Sequence, residues 1–294
     1  MTTHLLYLYL LSPLHTGGTS NEGNVLGIAR ETHTDMPYIP SSSIRGRFRA
    51  DFTDTLSRVE LFGPDLDDLK DSTFLTNYKN KYGRDITQLE QGGLWIGDAS
   101  LLWMPVASLS HGVVWISCPL LLQRWARFAR KPIVIPTVYS ASSALTKTIS
   151  PLYLKDARIP AETLQAWSDT DAKQFVPNND PAIDLSRLLV LPDQHCQTLI
   201  QMSLWRQVKV KLNEHKAVQG GSFRYEEAIP PDSLLYFPWG SLKNAPATNS
   251  ETMFTTHLTD KTDRLLQIGG QEGLGRGFTQ YWLSSELSTT VTTA

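Results

Sequence analysis

Cysteine is nearly absent: the 294 residues hold two, Cys118 and Cys196. So few, and so widely separated, exclude a disulfide framework and match no metal-site spacing, and a reducing cytoplasm is the expected compartment. Basic charge is not in excess either. Lysine and arginine total 27 against 29 aspartates and glutamates, a formal net charge of -2. That excludes the global signature of a polyanion binder, so a nucleic-acid role would have to rest on local clusters. Long apolar runs are lacking as well. Leu5 to Leu11 is too short to span a bilayer, no lysine or arginine precedes it, and no small-residue cleavage site follows at Ser12-Pro13. No membrane partner is expected, and the run reads as a buried first strand. No internal repeat of fixed period is present, and no nucleophile–base pair or metal-ligand cluster marks an enzyme for a small phosphorylated substrate.

What is present is a chain 41% hydrophobic, enough to bury a substantial core in one large domain or two smaller ones. Residues 4–11 read as a strand closed by Ser12-Pro13. After the extended Met36-Pro37-Tyr38-Ile39-Pro40, Ser41, Ser42 and Ser43 offer N-caps for a helix running to about Leu61, with Ile44, Phe48 and Phe52 on its buried face. Residues 65–90 are polar and read as an irregular or helical insertion. Strands follow from Gly93 to Pro105 and over Val113–Ser117, and Pro119 suits the first position of a helix ending near Arg130. The serine- and threonine-rich stretch 138–150 shows no helical period and reads as an exposed hairpin or arm. Pro177-Asn178-Asn179-Asp180-Pro181 is a loop. Alternation within 199–211 suits a half-exposed strand, and further strands are expected at 223–230, 233–237, 265–268 and 280–283, with a small-residue loop at 244–251. This mixture fits an α+β sandwich rather than a doubly wound sheet.

The stretch 14–49 concentrates the chemistry. It pairs a polar loop, His15-Thr16-Gly17-Gly18, with a basic helix start at Ser41–Arg49, and places Arg30, Glu31, His33 and Asp35 between them. A helix N-terminus with arginines can bind phosphate, and Arg45 and Arg49, one turn apart, could track adjacent phosphates; the alternative is a solvated arginine face behind an ordinary serine cap. Gly269–Gly277 lacks the lysine and serine or threonine of a P-loop and does not fit the dinucleotide fingerprint, so a nucleotide hydrolase is disfavoured. Arg124, Arg127, Arg130 and Lys131 suit a helix C-terminus and read as structural or as a subunit contact. Trp95, Trp103 and Trp115 read as core.

Five collinear blocks, at residues 8–17 (LYLLSPLHTG), 30–46 (RETHTDMPYIPSSSIRG), 93–119 (GLWIGDASLLWMPVASLSHGVVWISCP), 220–230 (GGSFRYEEAIP) and 266–278 (LQIGGQEGLGRGF), resemble the backbone subunits (Cmr subunit four) of type III-B CRISPR effector complexes, members of the RAMP superfamily. The resemblance implies one RAMP domain over 1–294: a ferredoxin-like, RNA-recognition-type α+β core with an inserted hairpin or thumb and helical segments. Insertions are expected at about 63–92 and about 131–190, with a loose tail from about 284. It implies a filament of copies of this chain along a guide CRISPR RNA, contacts with target RNA and with other Cmr or RAMP subunits, and no cofactor for binding itself. The expected RNA-binding residues are His15, Gly17, Arg30, Ser41, Ser42, Ser43, Arg45, Arg47, Arg49, Gly269, Gly270 and Arg276.

Family members carry a catalytic aspartate just before a Pro-Ile-x-Arg-Glu run. Here Gly27-Ile28-Ala29-Arg30-Glu31 occupies the run, and Glu22-Gly23-Asn24-Val25-Leu26 precedes it without an aspartate. Valine and leucine cannot bind Mg²⁺ or Mn²⁺, which would be needed only if the target is cut. The carboxylates near the gap are Glu22 and Asp35, while His15 and Glu227 match family positions; these four are the candidates for any catalytic role. The expectation is RNA holding without cutting, with a relocated-carboxylate endoribonuclease as the alternative.

Overall fold

The computed structural model describes residues 3–18, 25–147, 150–176, 185–218, 223–242, 249–261 and 263–284. The chain opens with strand β1 (His4–Leu10), the short strands β2 (Val25–Leu26) and β3 (Tyr38–Ile39), and helix α1 (Ser41–Asp51). Helices α2 (Thr55–Phe62) and α3 (Ser72–Tyr82) lead to strands β4 (Leu94–Ile96), β5 (Ala99–Ser108) and β6 (Gly112–Ser117). Pro119 is the first residue of α4 (Pro119–Ala129), whose C-cap is Arg130, and β7 (Ser140–Ser142) and α5 (Ser143–Thr146) follow. Small elements come next: β8 (Leu152–Tyr153), β9 (Arg158–Ile159), β10 (Gln165–Trp167), α6 (Asp169–Lys173) and β11 (Leu188–Val190). The last third holds α7 (Asp193–Ser203), β12 (Trp205–Lys209), β13 (Arg224–Ala228), β14 (Leu234–Ser241), α8 (Ser250–Asp260), β15 (Leu265–Gln267) and β16 (Phe278–Leu283).

One large mixed sheet runs in the order β10-β7-β11-β6-β5-β14-β1-β16-β15. Within it β5, β14, β1 and β16 are antiparallel neighbours. The connection from β1 to β5 carries α1 and α2, and the one from β14 to β16 carries α8. The period of two in β1 explains why both faces are covered. Leu6, Leu8 and Leu10 join Phe48 of α1 and Phe254 of α8 in one core, while Leu5 and Tyr7 join Trp103 and Trp125 in another. Phe48 and Phe254 meet edge-on at 5.1 Å, and the indole N–H of Trp125 donates to the Tyr7 hydroxyl at 3.1 Å. Trp103 and Trp115 are core residues as expected, whereas Trp95 is only half-buried.

A second sheet, β12-β13-β2, stands apart from the first. Its hairpin leaves Val208, Val210, Leu212, Val218, Phe223 and Tyr225 exposed. In the segment 65–90, α3 packs a small core of its own, Phe74, Tyr78 and Ile86 against Val59 of α2.

The structure corrects several sequence expectations. The helix from Ser41 does not run on to Leu61. It stops at Asp51 because Phe52 is extended, and Asp54 caps α2 by accepting from the Ser57 N–H at 2.8 Å; a short polar side chain that bonds the backbone favours a cap over a helix interior. The serines are not caps either. Pro40 holds the N-cap position, and the Ser41 N–H donates instead to Asp98 Oδ1 at 2.6 Å. Over its described residues, the stretch 138–150 is not an exposed arm. Ser140, Ala141 and Ser142 are buried in the large sheet, and Ser142 Oγ donates to the Ser186 carbonyl at 2.6 Å, which supplies the polar partner a buried hydroxyl needs. Residues 199–203 are helical, so the expected strand begins only at Trp205. Helix α8 was not expected; it takes in the last two residues of the loop placed at 244–251, of which 244–248 lie outside the described residues. The loop at Pro177–Pro181, Glu22 and the tail beyond 284 lie outside the described residues.

Candidate nucleic-acid interface

The polar loop after β1 is fixed from three sides. Leu14 exchanges backbone hydrogen bonds with Ile229 at 2.9 Å each way, and the His15 carbonyl accepts from the Gly270 N–H at 2.8 Å. His15 itself is buried, and its Nδ1 donates to the Glu227 carbonyl at 2.9 Å. Thr16 Oγ1 accepts from the Ala29 N–H at 3.0 Å. His15 therefore orients the junction between the loop, the end of β13 and the glycine segment. Gly269, at φ +91°, must be glycine because a Cβ would strike the His15 carbonyl; Gly277, at φ +78°, is excluded from substitution by the Ile268 carbonyl in the same way. The packing role of those glycines is thus explicit.

Adjacent acids on β13 point to opposite faces of the small sheet, as alternation demands. Glu227 pairs with Arg30 at 2.8 Å and Arg206 at 3.0 Å. Glu226 is fully buried and pairs with Lys209 at 2.7 Å, Arg224 at 3.0 Å and Arg276 at 3.1 Å. Burial raises the pKa of Glu226, but the hydrogen bond and charge of Lys209, with Arg276 behind it, hold the carboxyl below its ordinary value. Arg276 is also buried. Its guanidinium lies 4.5 Å from the Trp205 ring centre and donates to Gln207 Oε1 at 2.9 Å. The expectation that Arg276 offers free charge to RNA is corrected: it clasps the root of the hairpin to the glycine segment.

The run after Arg30 is held just as firmly. Glu31 takes both nitrogens of Arg124 on α4, one at 3.1 Å, and accepts from Thr34. Desolvation works against its charge, yet the Arg124 and Thr34 hydrogen bonds keep its pKa lowered. Arg124 is therefore structural, one of the two readings left open for it. Asp35, at φ +55°, has a side chain 56% exposed and lies 3.6 Å from Arg30, while its carbonyl accepts from Gln201 of α7.

On α1 the arginines turn inward. Arg45 donates to the carbonyls of Leu94 at 3.1 Å and Phe62 at 2.6 Å. Arg49 donates to the Gly63 carbonyl and pairs with Asp65 at 3.0 Å and Asp68 at 3.2 Å. Arg47 pairs with Asp51 at 3.0 Å. Arg45 and Arg49 satisfy the open carbonyls at the end of α2, so the picture of two arginines free to track successive phosphates is corrected. What α1 shows to solvent is Ser42, Gly46 and Ala50.

The structure thus brings together His15, Arg30, Asp35, Glu227, Gly269, Gly270 and Arg276, while Ser41, Arg45, Arg47 and Arg49 make their contacts with a different set of residues. Sequence reasoning missed Arg206, Lys209, Arg224 and Glu226. Their alternation was visible, but partnership appears only with the register that sets Arg206 opposite Glu227 and Gln207 opposite Glu226. Among the described residues, no three His, Cys, Asp or Glu side chains are grouped to hold a metal ion. Nor does the chemistry of Glu227 fit one, since two arginines already match its charge.

Comparison with known proteins places this geometry. The family model described as the RAMP superfamily matches residues 7–280. A protein of Pyrococcus furiosus named CRISPR system Cmr endoribonuclease Cmr4 is 27% identical over 306 aligned positions, covering 96% of each chain. The crystal structure of oligomeric Cmr4 from Pyrococcus furiosus superposes with a TM-score of 0.68 at 24% identity, over 97% of this chain and 98% of that one. A chain of the cryo-EM structure of the Type III-B Cmr-beta bound to cognate target RNA gives 0.69 at 17%, over 98% and 99%. These two likenesses establish a shared fold.

Proposed function

The chain belongs to the RAMP superfamily, and from that premise we propose that it is an RNA-binding backbone subunit of a type III-B CRISPR effector complex. It stacks with copies of itself and with other Cmr subunits along a guide RNA in the cytoplasm, and it holds target RNA without cutting it. The observation that carries the reading is the end-to-end alignment with the Cmr4 relative, 96% of both chains, which takes in α1, the hairpin and the glycine segment together. What supports a ferredoxin-like core in this reading is the sheet order β5-β14-β1-β16 with helices in the intervening connections, and on it the chain is one domain to which about 63–92 and about 131–190 are added.

The β12–β13 hairpin is the thumb of this reading. Arg206 and Arg224, with side chains 57% and 58% exposed, present charge to phosphates, and Phe223 and Tyr225 present rings for bases. The start of α1 adds the helix N-terminus at Ser42 and Ser43, with the Ser41 N–H taken by Asp98 and Arg47 held to Asp51 beside it. Arg30, Arg45, Arg49, Arg276, His15, Gly17, Gly269 and Gly270 act by shaping these surfaces. The non-cutting part rests on chemistry: residues 25–29 bring no carboxylate ahead of Arg30, and no cofactor is needed to hold RNA. One observation favours the second reading, a Mg²⁺- or Mn²⁺-dependent endoribonuclease with a relocated carboxylate: Asp35 is exposed beside Arg30; Glu22, the other candidate from the sequence, lies outside the described residues.

The test of binding is direct. Purified protein or complex is expected to carry guide RNA, and affinity for a repeat-derived guide should fall with salt at a log–log slope of roughly 0.7 per phosphate neutralised. Protein free of RNA and unable to bind such a guide would overturn the reading.

A further inference from the structure

A cavity of about 370 Å³ lies against α7, outside every surface used so far. Its size falls at the lower end of small-molecule sites, roughly 300–1,000 Å³. His195, Leu199 and Met202 reach it from one face of α7, at the i, i+4, i+7 spacing of a helical stripe. Ile159 adds an apolar wall, and Asp156 and Arg158 stand exposed at the rim. The helix then runs through Leu204 into β12, and its Gln201 holds the Asp35 carbonyl, so the cavity adjoins the root of the hairpin.

Tyr139 completes the lining and carries a second, independent signal. Its backbone sits at φ +64°, a region costly for a bulky side chain. The conformation is held from both sides: the Tyr139 N–H donates to the Val190 carbonyl at 2.6 Å, and its carbonyl accepts from the Gln165 N–H at 2.9 Å. The ring faces the cavity, with its hydroxyl 3.2 Å from His195 Nδ1. Strain kept in place by its surroundings concentrates at sites that bind.

We propose that this cavity takes one unstacked nucleobase, from a bound RNA strand or from a free nucleotide. Tyr139 and His195 offer flat rings, the Met202 thioether favours contact with an aromatic edge, and a guanidinium can stack on a base. Arg158 and Asp156 supply a donor and an acceptor for a base edge, which an apolar side chain of a protein partner would leave unused. The RNA source rests on the function proposed above; the free-nucleotide source does not.

The test uses the full chain. Binding of AMP, GMP, CMP and UMP is measured by ligand-detected NMR, and single-stranded RNA carrying 4-thiouridine is photocrosslinked and its attached peptides identified by mass spectrometry. Thr198→Trp, on the exposed face of α7, fills the cavity without deleting a buried group, and Arg158→Ala removes the rim cation. At least one nucleotide is expected to bind, weakened roughly tenfold or more by Thr198→Trp. Crosslinks at Tyr139, His195 or Met202 identify RNA as the source; nucleotide binding without them identifies a free nucleotide. Neither signal, in protein that still binds RNA, overturns the cavity assignment and leaves the proposed function standing. Nucleotide binding in protein that fails to bind RNA does the reverse. If Thr198→Trp spares both signals and instead changes self-association in sedimentation, the cavity belongs to a protein contact and the assignment is wrong.

Discussion

The two neighbouring glutamates of β13 show how differently one residue type can be used. Glu226 is fully buried among Lys209, Arg224 and Arg276, so Glu226→Ala strands buried positive charge and is expected to cost about 3–5 kcal/mol in urea unfolding. Arg206, paired with Glu227 but more than half exposed, should cost under about 1 kcal/mol when changed to alanine, since Glu227 keeps Arg30. Equal losses for the two variants would contradict the clasp. Asp51 makes a pH-dependent contribution. Burial opposes its charge, but His257 at 3.9 Å, the hydrogen bond from Lys261 and the charge of Arg47 bring its pKa down to about 2 from 3.8. With the folded value below the unfolded one, the stability is complete above the unfolded pKa and is lost as pH falls through the folded one. Asp51→Asn should therefore cost about 2 kcal/mol at neutral pH and progressively less in acid. A gap between wild type and variant that stays constant from pH 6 to pH 3 would sink this account of Asp51.

At the level of elements, the hairpin is the part whose loss should separate binding from folding. Phe223 and Tyr225 pack edge-on at 5.0 Å and are 39% and 41% exposed, so they contribute little to either large core. Changing both to alanine is expected to weaken guide-RNA binding by roughly tenfold or more, from base stacking, while the melting temperature stays within about a degree. A large drop in melting temperature with RNA affinity unchanged would assign these rings to the fold instead. Elements also mark where the sequence was readable. The leucine and tyrosine alternation of β1, the Pro119 start of α4 and the β5–β6 pair follow from local pattern, and the structure has them. Ser140–Ser142 was misread because small polar residues carry no apolar signature, yet hydrogen bonds such as that from Ser142 to the Ser186 carbonyl let them be buried. Helix α8 was missed because threonines and a histidine dilute its period around Phe254 and Leu258, the residues that reach the core. The inward turn of Arg45 and Arg49 could not be read at all: their acceptors, Leu94, Phe62 and Gly63, are set by tertiary packing rather than by spacing.

Across the whole molecule, a chain with net charge -2 sets many of its described basic residues against its own acids. The small sheet combines the half-exposed Arg206 and Arg224 with the exposed rings of Phe223 and Tyr225, and a fold shared with RAMP proteins positions it. Holding RNA then needs only that surface and repetition along a strand, whereas cutting needs a carboxylate that residues 25–29, just ahead of Arg30, do not supply. The decisive measurement incubates the assembled complex, containing this chain, with end-labelled complementary target RNA and Mg²⁺ or Mn²⁺, and follows both retention and length on gels. The account predicts target that is retained and stays full-length over a long incubation; regularly spaced fragments that disappear with Asp35→Ala or Glu22→Ala would contradict it.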